Sequence, residues 1–149
     1  MIVFVGSDHN GFAMKKQVLT YLKKRNIEAV DCGDEVLNPD DDFPIFAAKA
    51  VAAIKTTHDK DPRALLLCGS GQGMVMASNR FKGIRAGLGW SVEAAKGIRN
   101  DEDANIMALP SEMLKNDTIL AHAIIDAFIN TPFADANRYI RRNRELDEL

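Results

Sequence analysis

Ala64-Leu65-Leu66-Leu67-Cys68-Gly69-Ser70-Gly71-Gln72-Gly73-Met74-Val75-Met76 decides the fold. The segment opens on an apolar run with the length of a buried strand and turns through glycines at alternate positions. It then enters Met74-Val75-Met76-Ala77, which reads as a helix start. Glycines let backbone approach a ligand closely, and amides at a helix N-terminus attract an anion. Cys68 ends the strand in the field of that helix. Such a field favours thiolate over thiol and predicts a nucleophile or base at neutral pH. A buried cysteine before a tight turn is the commoner fate of this residue type. The alternating glycines weigh toward a site.

On either side of this segment, strand and helix patterns alternate. Ile2-Val3-Phe4-Val5 reads as a first strand, ending in the polar turn Gly6-Ser7-Asp8-His9-Asn10-Gly11. The helix that follows carries Met14, Val18 and Leu22 on one stripe, with Lys15, Lys16, Lys23 and Lys24 off it. Residues 27–30 read as strand two, and an acidic loop over 34–42 leads to Phe43-Pro44. A helix over 45–55 is apolar on most sides, which predicts deep packing or a second subunit. Beyond the glycine loop, the helix is expected to continue through Asn79-Arg80 to Lys82-Gly83. Residues 84–88 read as strand four, 92–98 as a helix capped by Ser91, and 104–109 as strand five. One long helix is expected from Pro110-Ser111 to Thr131-Pro132, then a charged helical tail over 135–149.

Five such repeats in 149 residues predict one α/β domain spanning 1–149, a three-layer sandwich around a five-stranded parallel sheet with a C-terminal helical tail. Ligands of such sheets bind at the carboxyl ends of the strands. The expectation is one cleft shared by Asp8, His9, Cys68, Ser70 and the polar cluster at 99–103. A formal net charge of −2 gives no reason to expect nucleic acid or an anionic membrane as partner. No apolar run reaches membrane-spanning length, and two cysteines at the ends of apolar runs suit a reducing cytoplasm.

The glycine loop lacks the Gly-Lys-Ser/Thr of a P-loop and the spacing of a dinucleotide fingerprint, so on its own it predicts an anion or enediolate site. No Cys/His spacing resembles a metal site. His58 lies in a charged loop and His122 on a polar helix face, which leaves His9, beside Asp8, as the functional candidate. Arg138 and Arg142, four apart on one face, form a pair able to clamp a phosphate.

Gly6-Ser7-Asp8-His9-Asn10-Gly11-Phe12, Asp42-Phe43-Pro44, Cys68-Gly69-Ser70-Gly71-Gln72-Gly73, Asn79-Arg80-Phe81-Lys82-Gly83-Ile84-Arg85-Ala86 and Asp103-Ala104-Asn105-Ile106 resemble successive motifs of one family. It is the type B ribose-5-phosphate and galactose-6-phosphate isomerase family, and the likeness runs nearly the full chain in order. The resemblance implies a Rossmann-like sheet, no metal or other cofactor, and a homodimer or tetramer with active sites between subunits. It also implies aldose–ketose isomerisation of a sugar phosphate. Carried over, Cys68 is the base that moves a proton between C1 and C2, with Ser70 beside it. Gly69, Gly71 and Gly73 supply amides to the enediolate. Asp8 contacts sugar hydroxyls, His9 and the Arg138–Arg142 pair hold phosphate, and Asn100 joins the substrate contacts.

One position departs from the pattern: the family's ring-opening histidine falls on Asp101. An ionised carboxylate only accepts protons, so the departure favours a substrate that needs no ring opening. A tetrose phosphorylated at O4, such as erythrulose 4-phosphate, meets that condition. The alternative is a non-catalytic sugar-phosphate-binding protein, or a partner subunit that completes another chain's site.

Overall fold

The computed structural model describes residues 1–149. Its strands are β1 (Ile2–Ser7), β2 (Glu28–Asp31), β3 (Arg63–Cys68), β4 (Ala86–Leu88) and β5 (Ile106–Pro110). All pair in parallel, in the order β2-β1-β3-β5-β4. β3 lies at the centre with every residue buried, as its unbroken apolar run requires of a strand covered on both faces.

The helices are α1 (Phe12–Lys24), α2 (Phe43–Thr56), α3 (Gln72–Ser78), α4 (Val92–Asn100), α5 (Ser111–Leu114), α6 (Thr118–Asn130) and α7 (Asn137–Glu148). Alternate strand residues face opposite layers. Leu65, Leu67, Met107 and Leu109 join Val18 and Leu22 of α1 and Ile124 and Phe128 of α6 in one core. Ala64, Leu66, Cys68, Ile106 and Ala108 join Phe46, Ala50 and Val51 of α2 and Met74 of α3 in the other. The expected three-layer α/β fold is therefore present, with a leucine on each face of β3 contributing about 1.5–3 kcal/mol by burial.

Local differences from the sequence reading have local causes. The helix after the glycine loop stops at Ser78, because Asn79 leaves it to pair with β4: its side chain donates to Ala86 O (2.9 Å) and accepts from Ala86 N (2.8 Å). β4 is shorter than 84–88 because Asn105 occupies the backbone of Arg85, through Oδ1 to its amide and through N–H to its carbonyl. β5 starts late because Asp103 sits at φ 46°. The expected single helix from 110 to 131 is two, since Asp117 Oδ1 accepts from Leu120 N (2.9 Å) and caps a fresh start.

Lys15, expected off the buried stripe, is only 1% exposed. Its Nζ meets both oxygens of Asp31 (2.7 and 2.8 Å) and Asp34 O (2.7 Å), tying α1 to the end of β2. His122, expected in solvent, is half-buried and stacks on Tyr21 at 3.6 Å.

Gly71 is the tightest point of the central loop. Its φ of 77° strains any L side chain, and a methyl group there would overlap Leu88 Cδ1. Gly83 has nearly the same φ, 76°, but opens onto free space. Gly71→Ala should therefore cost about 2–4 kcal/mol and Gly83→Ala about 1 kcal/mol. Urea unfolding of both variants checks the difference, and equal losses would mean that Leu88 gives way freely.

Candidate active site

β1 and β3 are neighbours, so their carboxyl ends bring two sequence-distant turns together. Gly11 makes the approach possible, since a methyl group there would strike the Leu67 backbone. In the first turn, Asp8 is buried and its Oδ1 accepts from Gly11 N at 3.0 Å. Burial raises its pKa above the usual carboxylate value, against the pull of that amide. His9 is 31% exposed at its side chain and faces Asp41, whose Oδ1 lies 2.6 Å from Nδ1 and also accepts the His9 amide at 3.0 Å. The hydrogen bond to Asp41 raises the His9 pKa, so the ring is more readily cationic than a free histidine. Asp41 lay unmarked in the sequence among three consecutive aspartates.

In the second turn, Cys68 is 5% exposed and Gly71 N donates to its Sγ at 3.1 Å. The expectation of a thiolate set by the helix field is corrected here. Burial raises the thiol pKa above its ordinary value. That effect outweighs the amides of Gly71, Met74 and Ser70 that pull it down. The helix behind the loop is only seven residues long. Ser70 is exposed beside the sulfur, with Gln72 N on its Oγ at 3.4 Å. Gly73 abuts the Phe43 ring, so the Asp42-Phe43-Pro44 turn closes the loop's outer side. The carboxyl end thus holds a thiol, a hydroxyl, backbone amides, an imidazole and a buried acid.

The remaining candidates lie elsewhere. α4 runs back from β4, which carries Asn100 and Asp101 to the amino end of the sheet. There Arg99 donates to Ala104 O (2.6 Å), and both Arg99 and Arg63, the first residue of β3, lie over the Phe128 ring. β3 alone separates that end from Cys68 by about 16 Å at ~3.3 Å per residue. The expected single cleft within one chain, including 99–103, is therefore corrected.

Arg138 and Arg142 travel with Asp101. Asn143 Nδ2 donates to Asp101 O (3.3 Å), Ala134 N donates to Asn100 O (3.0 Å), and Asn100 Nδ2 donates to Asp101 Oδ1 (2.7 Å). Arg85 braces the group by binding Asp147 of α7 and Asp103 together (3.0 and 3.1 Å). A cleft of about 840 Å³ lies between residues 79–87 and the end of α7, and neither Cys68 nor His9 lines it. The candidate residues thus fall into two groups, one at each end of the sheet.

Known proteins resemble this chain over nearly its whole length. A ribose-5-phosphate isomerase B from Mycolicibacterium paratuberculosis is 38% identical over 142 residues, 95% of this chain and 87% of that protein. A 4-deoxy-4-sulfo-D-erythrose isomerase from a Clostridium species is 36% identical over 135 residues, 91% of this chain and 82% of its own. The crystal structure of ribose-5-phosphate isomerase B from Mycoplasma genitalium with bound ribulose-5-phosphate superposes with a TM-score of 0.90 at 31% identity. It covers 99% of this chain and 94% of that one. The family described as Ribose/Galactose Isomerase matches residues 3–146, and the chain belongs to that family.

Proposed function

We propose that this protein is an aldose–ketose isomerase of a sugar phosphate, acting as a homodimer whose active site joins the Cys68 end of one copy to the Asp101–Arg142 end of the other. The observation that carries this reading is the cysteine loop within a chain similar to named isomerases over nearly its full length. Support for the shared site comes from the separation of the half-sites. Further support comes from an exposed apolar face on α2 and α3, where Ile45 is 52% and Met76 65% exposed. Two unpaired cysteines suit the reducing cytoplasm as its place of work.

In this mechanism the Cys68 thiolate takes the proton from C2 of the aldose. The electrons form C1=C2 and push the carbonyl π pair onto O1. A proton then passes from the O2 hydroxyl to O1, and C2=O forms as the C1=C2 pair takes the proton back from the thiol at C1. Charge on the enediolate oxygen is held by amides of the Gly69–Gly73 loop and by the Ser70 hydroxyl, which are fixed before the reaction begins. A buried thiol is less often ionised, but its thiolate is the stronger base once formed. Asp8 takes sugar hydroxyls. His9 holds the anionic end, together with Arg138, Arg142 and Asn100 of the second copy.

Asp101 favours a short substrate that reaches the site open. The Clostridium relative is named for a tetrose of this kind, since a sulfonate on C4 removes the hydroxyl that would close a five-membered ring. A non-catalytic sugar-phosphate-binding protein, or a subunit completing another chain's site, would bind the same ligands without exchanging the C2 proton with solvent.

Cys68→Ala should abolish turnover of sugar phosphates while leaving ligand binding within about threefold, because the thiolate acts in the transition state. Normal turnover by this variant would remove Cys68 from the base role. kcat/KM of the native enzyme should rise with pH until Cys68 ionises, at a pH above that of an ordinary thiol.

Mixing the inactive Cys68→Ala and Arg142→Ala proteins and allowing subunits to exchange should restore about a quarter of native activity, since half the dimers then hold one intact site. No recovery would place the arginine and the cysteine of one site on the same chain and overturn the shared site. With a tetrose 4-phosphate and ribose 5-phosphate as competitors, the native enzyme should prefer the tetrose. Asp101→His should gain at least several-fold on ribose 5-phosphate by supplying an acid for ring opening. A native preference for ribose 5-phosphate that the histidine lowers would overturn this choice of substrate.

A further inference from the structure

The Cys68 end carries one more charged side chain, which the mechanism above does not use. Glu112 is the second residue of α5, and its amide donates to Gly69 O at 3.1 Å. That bond sets its carboxylate over the loop. A methyl group on Gly69 would lie 3.2 Å from Glu112 Oε1 and 3.8 Å from Asn10 Cβ. The Asn10 amide in turn lies 2.9 Å from His9 Nε2. Glu112 therefore stands on the His9–Asn10 side of the loop, the side assigned to the anionic end of the substrate. It is exposed, and no lysine, arginine or histidine of its own chain pairs with it.

The charges around this end can be counted. A protonated His9 is offset by Asp41 at 2.6 Å. Arg138 and Arg142 of a second copy bring two positive charges, and Glu112 removes one. A second negative charge on the end group would face the Glu112 carboxylate, and like charges at that range repel.

We infer that Glu112 is a specificity-determining residue, selecting substrates whose end group is a tetrahedral monoanion, either a sulfonate or a phosphate monoester that keeps one proton. The inference rests on the isomerase reading for the location of the end group. A sulfonate keeps one charge at every working pH, whereas a phosphate monoester loses its second proton at about pH 6. Comparing the two isolates the end group, because cysteine, histidine and glutamate titrate identically in both measurements.

The experiment is KM for a tetrose 4-phosphate and for its 4-deoxy-4-sulfo counterpart between pH 5.5 and 8.5, in the native enzyme and in Glu112→Gln. The ratio of the phosphate KM to the sulfonate KM should rise about tenfold across the phosphate ionisation in the native enzyme. Glu112→Gln should flatten that rise by lowering the phosphate KM at high pH, with kcat little changed. A ratio that is flat in the native enzyme, or that the variant leaves unaltered, overturns the inference. So does a phosphate KM that increases in the variant, which would make Glu112 an acceptor for a sugar hydroxyl. Protection of Cys68 from iodoacetamide by methyl phosphate against methanesulfonate reads the same ratio without turnover. A lack of turnover with either sugar thus counts against the isomerase reading alone, and the protection ratio still decides the role of Glu112.

Discussion

Strand direction is the constraint from which the site follows. In a parallel sheet each helix must return the chain to the amino end before the next strand can begin, so a loop before a strand and a loop after one lie at opposite ends. Cys68 ends β3, whereas Asp101 follows α4 and precedes β5. The two are held apart by the length of the central strand, and no side-chain motion closes that gap. The polarity that gathers Asp8, His9 and Cys68 at one end sends Asn100, Asp101, Arg138 and Arg142 to the other.

That polarity also explains what was legible in the sequence. The central strand was plain, because a run of leucines before a glycine turn has few other fates, and the period of two along β1, β3 and β5 sorts their residues into two cores. The residues around Cys68 were legible for the same reason, since local spacing fixes them. The position of 99–103 was misjudged because its polar composition resembles a loop after a strand, although it precedes one.

The remaining misses are long-range pairings with no local signal. Lys15 looked like a surface lysine until Asp31 and the Asp34 carbonyl enclosed it. Asp41 was one of three aspartates until His9 chose it. Asn79 looked like a helix residue until its amide served as a partner for β4. The Cys68 thiol was misread in direction because burial takes from the sulfur the water that would stabilise its charged form. The amides do reach the sulfur, but they are outweighed.

The C-terminal helix has a consequence of a different kind. Of its twelve residues only Asn143 is buried, so α7 is held by the Arg85 bridge to Asp147 and by the Asn143 bond to Asp101 rather than by apolar packing. Elements fastened in this way open at a small fraction of the global unfolding free energy, and their amides exchange hydrogen long before those of the core strands. In a single copy Arg138 and Arg142 therefore ride on an element that polar bonds, not an apolar core, fasten to the sheet.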